Sequence, residues 1–307
     1  MTAVVALDIA ERCAAIAILL SVAELFVSRH QLRPGGALHW RVLVLRRPSN
    51  LLDRLMLRSR AAPVMDLPGV LGLALLELAG AAAMFVAPRL IVGPVVCLML
   101  HIVLSRRHAH GTDGSDDMLL MLLGAAVARC ADPAAVVQGA AAAFLCGQAC
   151  LAYLTSGLSK AQSRVWWNGS GLRGTLCTRM YGHPLVTRLV SNREVVTRIA
   201  GPATIVWESL FVLAVPAGPI PTLVALALAA GFHIACAFIM GLASFVWAFL
   251  GTFPSVYFVS QWVTSHLAVA DRAVLVLACA VPVLSAVSFL AGRTRPGGSS
   301  SSFKAGS

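Results

Sequence analysis

The sequence predicts an all-α, polytopic integral membrane protein, a helical bundle of about eight transmembrane helices with one broken or re-entrant segment. The first observation is composition: 58% of the 307 residues are hydrophobic and 12% are charged, whereas a soluble domain is about 25% charged. The second is a mean hydropathy of +0.82. The third is distribution, because apolar runs approaching the roughly 20 residues of a spanning helix recur along the chain. We therefore expect a multi-pass protein of the cell membrane.

Each span is predicted from one apolar run. The eight runs lie at residues 9–27, 64–87, 89–105, 117–131, 134–158, 199–217, 220–242 and 270–291. The run 117–131 is short and carries Arg129 near its end, so it is expected to tilt or to enter the membrane only partly. A ninth run, 244–262, contains Gly251 and Pro254. Irregular backbone at membrane depth is tolerated where it lines a cavity, so this run is predicted to be broken or re-entrant.

The two ends of the chain differ from the spans. The first apolar run starts after Asp8, Glu11 and Arg12 and lacks the basic region of a cleavable signal, so we expect a retained helix. Residues 293–307 are rich in glycine and serine and are predicted to be a disordered tail. The transmembrane domain is therefore assigned to residues 1–292.

Arginines concentrate in two segments between spans. The loop after the first span carries eight arginines against one acid, Asp53, and residues 159–198 carry seven basic side chains against Glu194. The positive-inside rule predicts that both segments are cytoplasmic and that the N-terminus lies outside. Because the charge is split between apolar runs, the net charge of +11 indicates orientation and anionic lipid headgroups, with no nucleic acid expected as a partner.

Cysteine, histidine and aspartate residues occur at two places where their spacing permits metal binding. Cys146 and Cys150 lie four residues apart, which permits a redox pair or half of a metal site, but packing in an apolar run is favoured. In the segment 106–118, the pattern of His108, His110 and nearby aspartates permits metal binding. A helix cap by Asp116 is the favoured interpretation there. No metal site is predicted.

The stretch from Tyr153 to Gly169 leaves a hydrophobic run and contains Lys160, the only lysine before Lys304. An arginine would anchor a helix end as well, but only an amine can lose its proton in a protein. A lysine just past a span is also a common interfacial anchor. Both interpretations of Lys160, anchor and proton acceptor, remain open at this point.

Ionisable groups inside predicted spans are functional candidates because burying charge in a membrane is costly. The deepest are Glu24, Glu77, His101, Glu208 and His233. Each of them is alternatively an interhelical hydrogen-bonding group.

Two blocks of the chain resemble a known family. The first has a tyrosine, a small residue with glycine, a lysine, then a tryptophan and a glycine, and these are Tyr153, Ser156, Gly157, Lys160, Trp166 and Gly169. The second, residues 231–247, has a membrane histidine, His233, followed by Gly-x-x-x-Phe and a proline-containing segment. Both are similar to the vitamin K-dependent gamma-carboxylases and their bacterial relatives, the HTTM (horizontally transferred transmembrane) proteins.

The resemblance implies an HTTM-like domain and a function. In that family a hydroquinone reacts with oxygen to give a base that allows carboxylation of a peptide, a carbon–carbon lyase type of chemistry. Lys160 and His233 are then the expected catalytic residues, with a menaquinol or vitamin K-type hydroquinone as cofactor and a small peptide or membrane protein as partner. The side chains expected to bind the cofactor are Trp166, Trp167, Glu208, Phe245 and Trp247.

Two departures from the family favour an alternative. Asp116 or Asp117 stands where the carboxylases have a histidine important for carboxylation, and no large lumenal domain is expected after the last span. The alternative is a non-enzymatic maturation, export or immunity factor on the same fold. A transporter is a third hypothesis, suggested by the broken run and opposed by the lack of an internal repeat. The family also works on the lumenal face, opposite to the side that the charge pattern predicts for Lys160.

Overall fold

The computed structural model describes residues 1–36, 38–43, 66–105, 114–178 and 181–294. Within these ranges the chain forms helices and no strands, which confirms the predicted all-α fold. His108 and His110, whose pattern permits metal binding, lie outside the described residues. The last helix ends at Thr294, and the rest of the predicted tail also lies outside them.

The described residues form fifteen α-helices. In chain order they are α1 Ala3–Val27, α2 Trp40–Leu43, α3 Leu67–Val86, α4 Val92–Ser105, α5 Gly114–Ala131, α6 Ala135–Ala161, α7 Arg164–Trp167, α8 Ser170–Leu176, α9 Pro184–Asn192, α10 Glu194–Leu210, α11 Ala214–Ala217, α12 Pro219–Met240, α13 Ala243–Leu250, α14 Phe253–His266 and α15 Val269–Thr294. Short 3₁₀ turns lie at Arg29–Leu32 and Phe211–Leu213.

Six helical segments of the described residues are long and apolar enough to cross a membrane. They are Leu67–Val86, Ala135–Ala161, Glu194–Ala217, Pro219–Met240, Ala243–His266 and Val269–Leu290. The fourteen-residue α4 is shorter, and α1 carries four charged side chains. The predicted total of about eight spans stays a prediction, whereas the multi-pass membrane class follows from these six.

The ninth predicted run, 244–262, forms two helices of one spanning segment. α13 ends at Leu250, and α14 begins at Phe253 with Pro254 in its first turn, where a proline needs no backbone donor. At Gly251 a Cβ atom would lie 2.9 Å from Leu122 Cδ1 and 3.1 Å from Cys13 Cβ. The interruption therefore lies where this segment packs closely against α1 and α5.

Arg129 joins four elements at one end of the bundle. Its guanidinium contacts Glu11, donates to Asp8 Oδ1 at 2.8 Å and donates to the Pro88 carbonyl at 2.9 Å. Gln138, at the start of α6, donates to the Arg129 carbonyl at 3.0 Å. A buried carboxylate such as Glu11, 1% exposed, requires a cationic partner. The positive charge of Arg129, in the short run 117–131, is thus neutralised by carboxylates inside the protein.

At the opposite end of the bundle, a cavity is lined by residues near the end of α1, the start of α3, the end of α4 and the start of α5. These helices alternate in direction, and α6 runs back against α5. As a result, α1 ends on the same side of the bundle as α6. The two basic segments that follow them therefore begin on one side, in agreement with the charge argument.

Candidate functional site

Lys160 is part of an ion pair between α6 and α10. Its Nζ donates to the two carboxylate oxygens of Glu208 at 2.9 and 2.7 Å and to Ser156 Oγ at 2.5 Å. The Lys160 side chain is 18% exposed and that of Glu208 is 3% exposed. The amine is thus turned toward a neighbouring helix and holds a carboxylate that would otherwise be buried without a counter-charge.

Two glycines of the lysine stretch allow this approach. A Cβ atom on Gly157 would lie 2.5 Å from Ser209 Oγ and 2.7 Å from the Ser209 backbone nitrogen. Gly169 has φ +78°, and a Cβ atom there would lie 2.3 Å from the Thr197 carbonyl oxygen. Backbone meets backbone at both points, so only glycine fits, and small residues are what close helix contacts in membranes need.

The ammonium group also faces an open groove. This groove, of about 430 Å³, is lined by Ser156, Ser159, Ser163, Thr155, Lys160 and Trp166. The Trp166 ring centroid is 5.3 Å from Lys160 Nζ, within the range of a cation–π contact. The groove therefore combines several hydroxyl groups, one cation and one aromatic surface.

Trp167 belongs to a different surface. Its indole N–H donates to the Ala161 carbonyl at 2.9 Å. It lines a second groove of about 370 Å³ together with Asn168, Arg173 and Glu194. The two adjacent tryptophans, both predicted to bind one cofactor, are thus directed to separate grooves.

His233 is held by a tyrosine of the lysine stretch. Tyr153 Oη lies 2.7 Å from His233 Nε2, and the histidine is 1% exposed. Tyr153 precedes Lys160 by two helical turns on α6, so the two side chains lie on one face of that helix. His233 Nδ1 has no hydrogen-bond partner among the described residues.

Aromatic side chains enclose the histidine ring. Phe249 stacks on it at a centroid distance of 4.4 Å, and Phe245 lies at 4.9 Å. Phe232 and Phe253 complete the surroundings at 5.3 and 6.4 Å. Phe245 therefore lies beside His233, whereas Trp247 packs against the cluster centred on α1 and does not join it.

Two residues of this cluster are not predicted as site residues from the sequence. Tyr153 appears there only as part of a motif, and Trp207, whose ring centroid lies 5.2 Å from that of Tyr153, has no predicted role. The spacing of Tyr153, Ser156, Gly157 and Lys160 is i, i+3, i+4, i+7, which is the signal of one helix face. Applied to α6, that spacing indicates that the four residues face the same neighbouring helices.

The remaining candidate ionisable groups lie elsewhere. Glu77 and His101 contact each other between α3 and α4, with a distance of 3.2 Å between Oε1 and Nδ1. Asp116 lies in the first turn of α5, two residues after Gly114, and its capping of the helix stays a prediction. All eight cysteines are free thiols. In the part of the chain that the structure describes, no three histidine, cysteine or acidic side chains are arranged to hold a metal ion.

The fold and composition define the class of this chain as an all-α, multi-pass membrane protein. No protein-family model matches the chain, and neither a curated protein nor a solved structure matches it.

Proposed function

We propose that the chain is an enzyme of the cell membrane that binds a hydroquinone at the Lys160 groove and uses the Lys160–Glu208 pair as its proton acceptor. The observation that carries the proposal is the position of this ion pair. It is largely buried between α6 and α10, yet Lys160 also lines an open groove with hydroxyl groups and an aromatic ring.

The ion pair has a neutral form that makes it a base. If the proton of the ammonium passes to the carboxylate at 2.7 Å, Lys160 becomes a free amine and Glu208 a carboxylic acid. Lys160 can then accept a proton from a ligand in the groove, which arginine cannot do.

The groove suits a flat ring that carries hydroxyl groups. Ser156 and Ser159 supply donors and acceptors, and the Trp166 ring supplies an aromatic face. A bound menaquinol or vitamin K-type hydroquinone would supply an ionisable hydroxyl group and two electrons for reaction with oxygen. The residues of the chain would orient the ring and hold the proton that leaves the hydroxyl.

His233 and Glu208 have supporting roles in this proposal. His233 fixes the Tyr153 hydroxyl at 2.7 Å and so orients the face of α6 that carries Lys160. Phe245 holds the histidine ring in place from α13. Glu208 accepts the proton that Lys160 gives up and holds it as a carboxylic acid. Carboxylation of a small peptide partner at the membrane surface is the coupled reaction that we propose for this site.

A second function is favoured by one specific observation. Lys160 is already neutralised by Glu208, and aromatic side chains leave His233 only 1% exposed. Both contacts are those of a packed helix interface. On this alternative, the chain is a non-enzymatic maturation, export or immunity factor, and its partner is a small peptide or membrane protein.

Quinone content distinguishes the two functions. We expect the protein, purified in mild detergent, to retain menaquinone, measured by solvent extraction and mass spectrometry. The Lys160→Ala variant is expected to lose it because the groove loses its cation, and His233→Ala because Tyr153 loses its partner. Arg173→Ala is the control, since Arg173 lines the separate groove of Trp167. Absence of quinone from every monodisperse sample would contradict the enzyme and favour the alternative.

A further inference from the structure

A groove beside Arg89 lies at the end of the bundle opposite to the Lys160 groove. It has a volume of about 460 Å³, which is in the range of small-molecule sites. It is formed by the start of α1, the turn between α3 and α4 and the turn between α5 and α6, and its lining residues are Val4, Pro88, Arg89, Arg129, Cys130, Pro133 and Gln138. Because α3 and α6 are long enough to span a membrane, their ends lie near the level of the lipid headgroups.

One side of this groove offers positive charge. Arg89 is exposed, and it has no ion-pair or hydrogen-bond partner in the part of the chain that the structure describes. Arg129, the other cation of the lining, is already paired with Asp8 and Glu11. The first turn of α6 begins at Ala135 without a side-chain cap, so its backbone N–H groups favour an anion. Arg89 and this helix start together suit a phosphate group.

The other side of the groove offers a hydrogen-bond acceptor. Gln138 is 3% exposed, and its Nε2 donates to the Arg129 carbonyl at 3.0 Å and to the Asp132 carbonyl at 2.7 Å. Because both partners are carbonyl oxygens, the orientation of the amide is fixed and Oε1 is left as an acceptor. Oε1 has no hydrogen-bond partner among the described residues. Leaving such a buried acceptor unpaired costs about 1–3 kcal/mol, so a ligand that donates to it gains affinity.

The donor that suits Gln138 is a cationic one. α5 ends at Ala131, just before Asp132, and the C-terminal end of a helix favours positive charge. The groove therefore combines a place for an anion, at Arg89 and the start of α6, with a place for a cation that carries N–H donors, at Gln138. A zwitterionic ligand matches both places.

We propose that this groove binds the phosphoethanolamine headgroup of a membrane lipid. The phosphate lies against Arg89 and the first turn of α6, and the primary ammonium donates to Gln138 Oε1. Apolar side chains that are about half exposed or more flank the groove and suit the acyl chains, namely Val4, Leu90, Val92 and Val136. The site is independent of the function proposed for Lys160.

The test compares phosphatidylethanolamine with phosphatidylcholine of the same acyl chains, added to the purified full-length protein in detergent. Both lipids carry the phosphate, but the quaternary ammonium of choline has no N–H donor. Native mass spectrometry measures the fraction of protein that carries one lipid. We expect the ethanolamine lipid to bind at least about tenfold more tightly, the effect of one charged hydrogen bond. Equal binding of the two lipids by the unmodified protein would overturn the proposal.

Two variants separate the two halves of the headgroup. Gln138→Leu is expected to remove the preference for the ethanolamine lipid and to leave binding of the choline lipid unchanged. Arg89→Ala is expected to weaken binding of both lipids about tenfold. It removes an exposed side chain without a partner, so its folding is expected to be unaffected. Arg198→Ala is the matched control, because Arg198 is an exposed arginine at the start of α10, at the other end of the bundle.

Three results would contradict this assignment. They are a preference for the ethanolamine lipid that persists in a folded Gln138→Leu variant, equal lipid affinities of Arg89→Ala and Arg198→Ala, and displacement of the lipid by an equal concentration of soluble O-phosphoethanolamine. The last compound has the headgroup without acyl chains, so we expect it not to compete at that concentration.

Discussion

Lys160→Met is expected to lower the free energy of unfolding by about 3 kcal/mol or more, the cost of leaving a buried charge without its partner. Glu208 is 3% exposed, and Lys160 is the cation that contacts both of its carboxylate oxygens. Without Lys160, the carboxylate has to take up a proton or admit water between α6 and α10. The measurement is equilibrium unfolding of the purified protein in mixed detergent and denaturant.

The double variant Lys160→Met, Glu208→Gln separates charge from packing. Because it removes both charges and keeps similar volumes, most of the lost stability is expected to return. Arg173→Met serves as the exposed control, since its partner Glu194 is 50% exposed and such a pair contributes at most about 1 kcal/mol. If the double variant were as unstable as Lys160→Met, the ion pair would not be the source of the effect.

Gly157→Ala is expected to destabilise the protein by about 2 kcal/mol, in the range for overpacking a close helix contact. The new Cβ would lie 2.5 Å from Ser209 Oγ and 2.7 Å from the Ser209 backbone nitrogen, so α10 has to move. Movement of α10 also displaces Glu208, the residue before Ser209, from Lys160. Unfolding temperature and unfolding free energy, measured in the same detergent, report the loss.

The control for Gly157 lies on the same helix. At Gly147 an added Cβ would meet nothing within 4 Å. Gly147→Ala is therefore expected to stabilise α6 by up to about 1 kcal/mol through helix propensity alone. Opposite signs for the two glycines are the expected result, and equal effects would mean that the contact between α6 and α10 does not limit stability.

Some of the site was predictable because it lies on one helix. Hydropathy indicated the membrane class, and the spacing from Tyr153 to Lys160 follows one helical face. Periodicity also explains why Gly157, one turn before Lys160, faces the same neighbouring helix. These features depend on local sequence and on the 3.6-residue repeat alone.

The sequence does not predict which side chains of different helices contact each other. Lys160, Glu208 and His233 are predicted to lie on three successive spans or at their edges. No periodicity says that Lys160 pairs with Glu208 whereas His233 pairs with Tyr153. The sequence prediction groups Trp166 with Trp167, which are one position apart, and Phe245 with Trp247, which are two positions apart. Each position in a helix turns the side chain by about 100°, so in both cases the two side chains reach different surroundings.

The other ionisable groups show the same limit. The sequence indicates His101 as a membrane histidine and Asp116 as a helix cap, in two separate segments. Packing of α4 against α5 brings Nε2 and Oδ1 within 3.7 Å and encloses a cavity beside them. That arrangement depends on tertiary structure and on the depth at which each helix sits.

Turnover of menaquinol by the Lys160→Arg variant tests the central claim most directly. The purified proteins are supplied with menaquinol and oxygen, and its epoxide is measured by mass spectrometry. The unmodified protein is expected to form the epoxide. Lys160→Arg keeps a cation beside Glu208 and is expected to lose at least about a hundredfold in rate, the contribution of a general base. Unchanged turnover in a folded Lys160→Arg variant, or no turnover by the unmodified protein, would contradict the account.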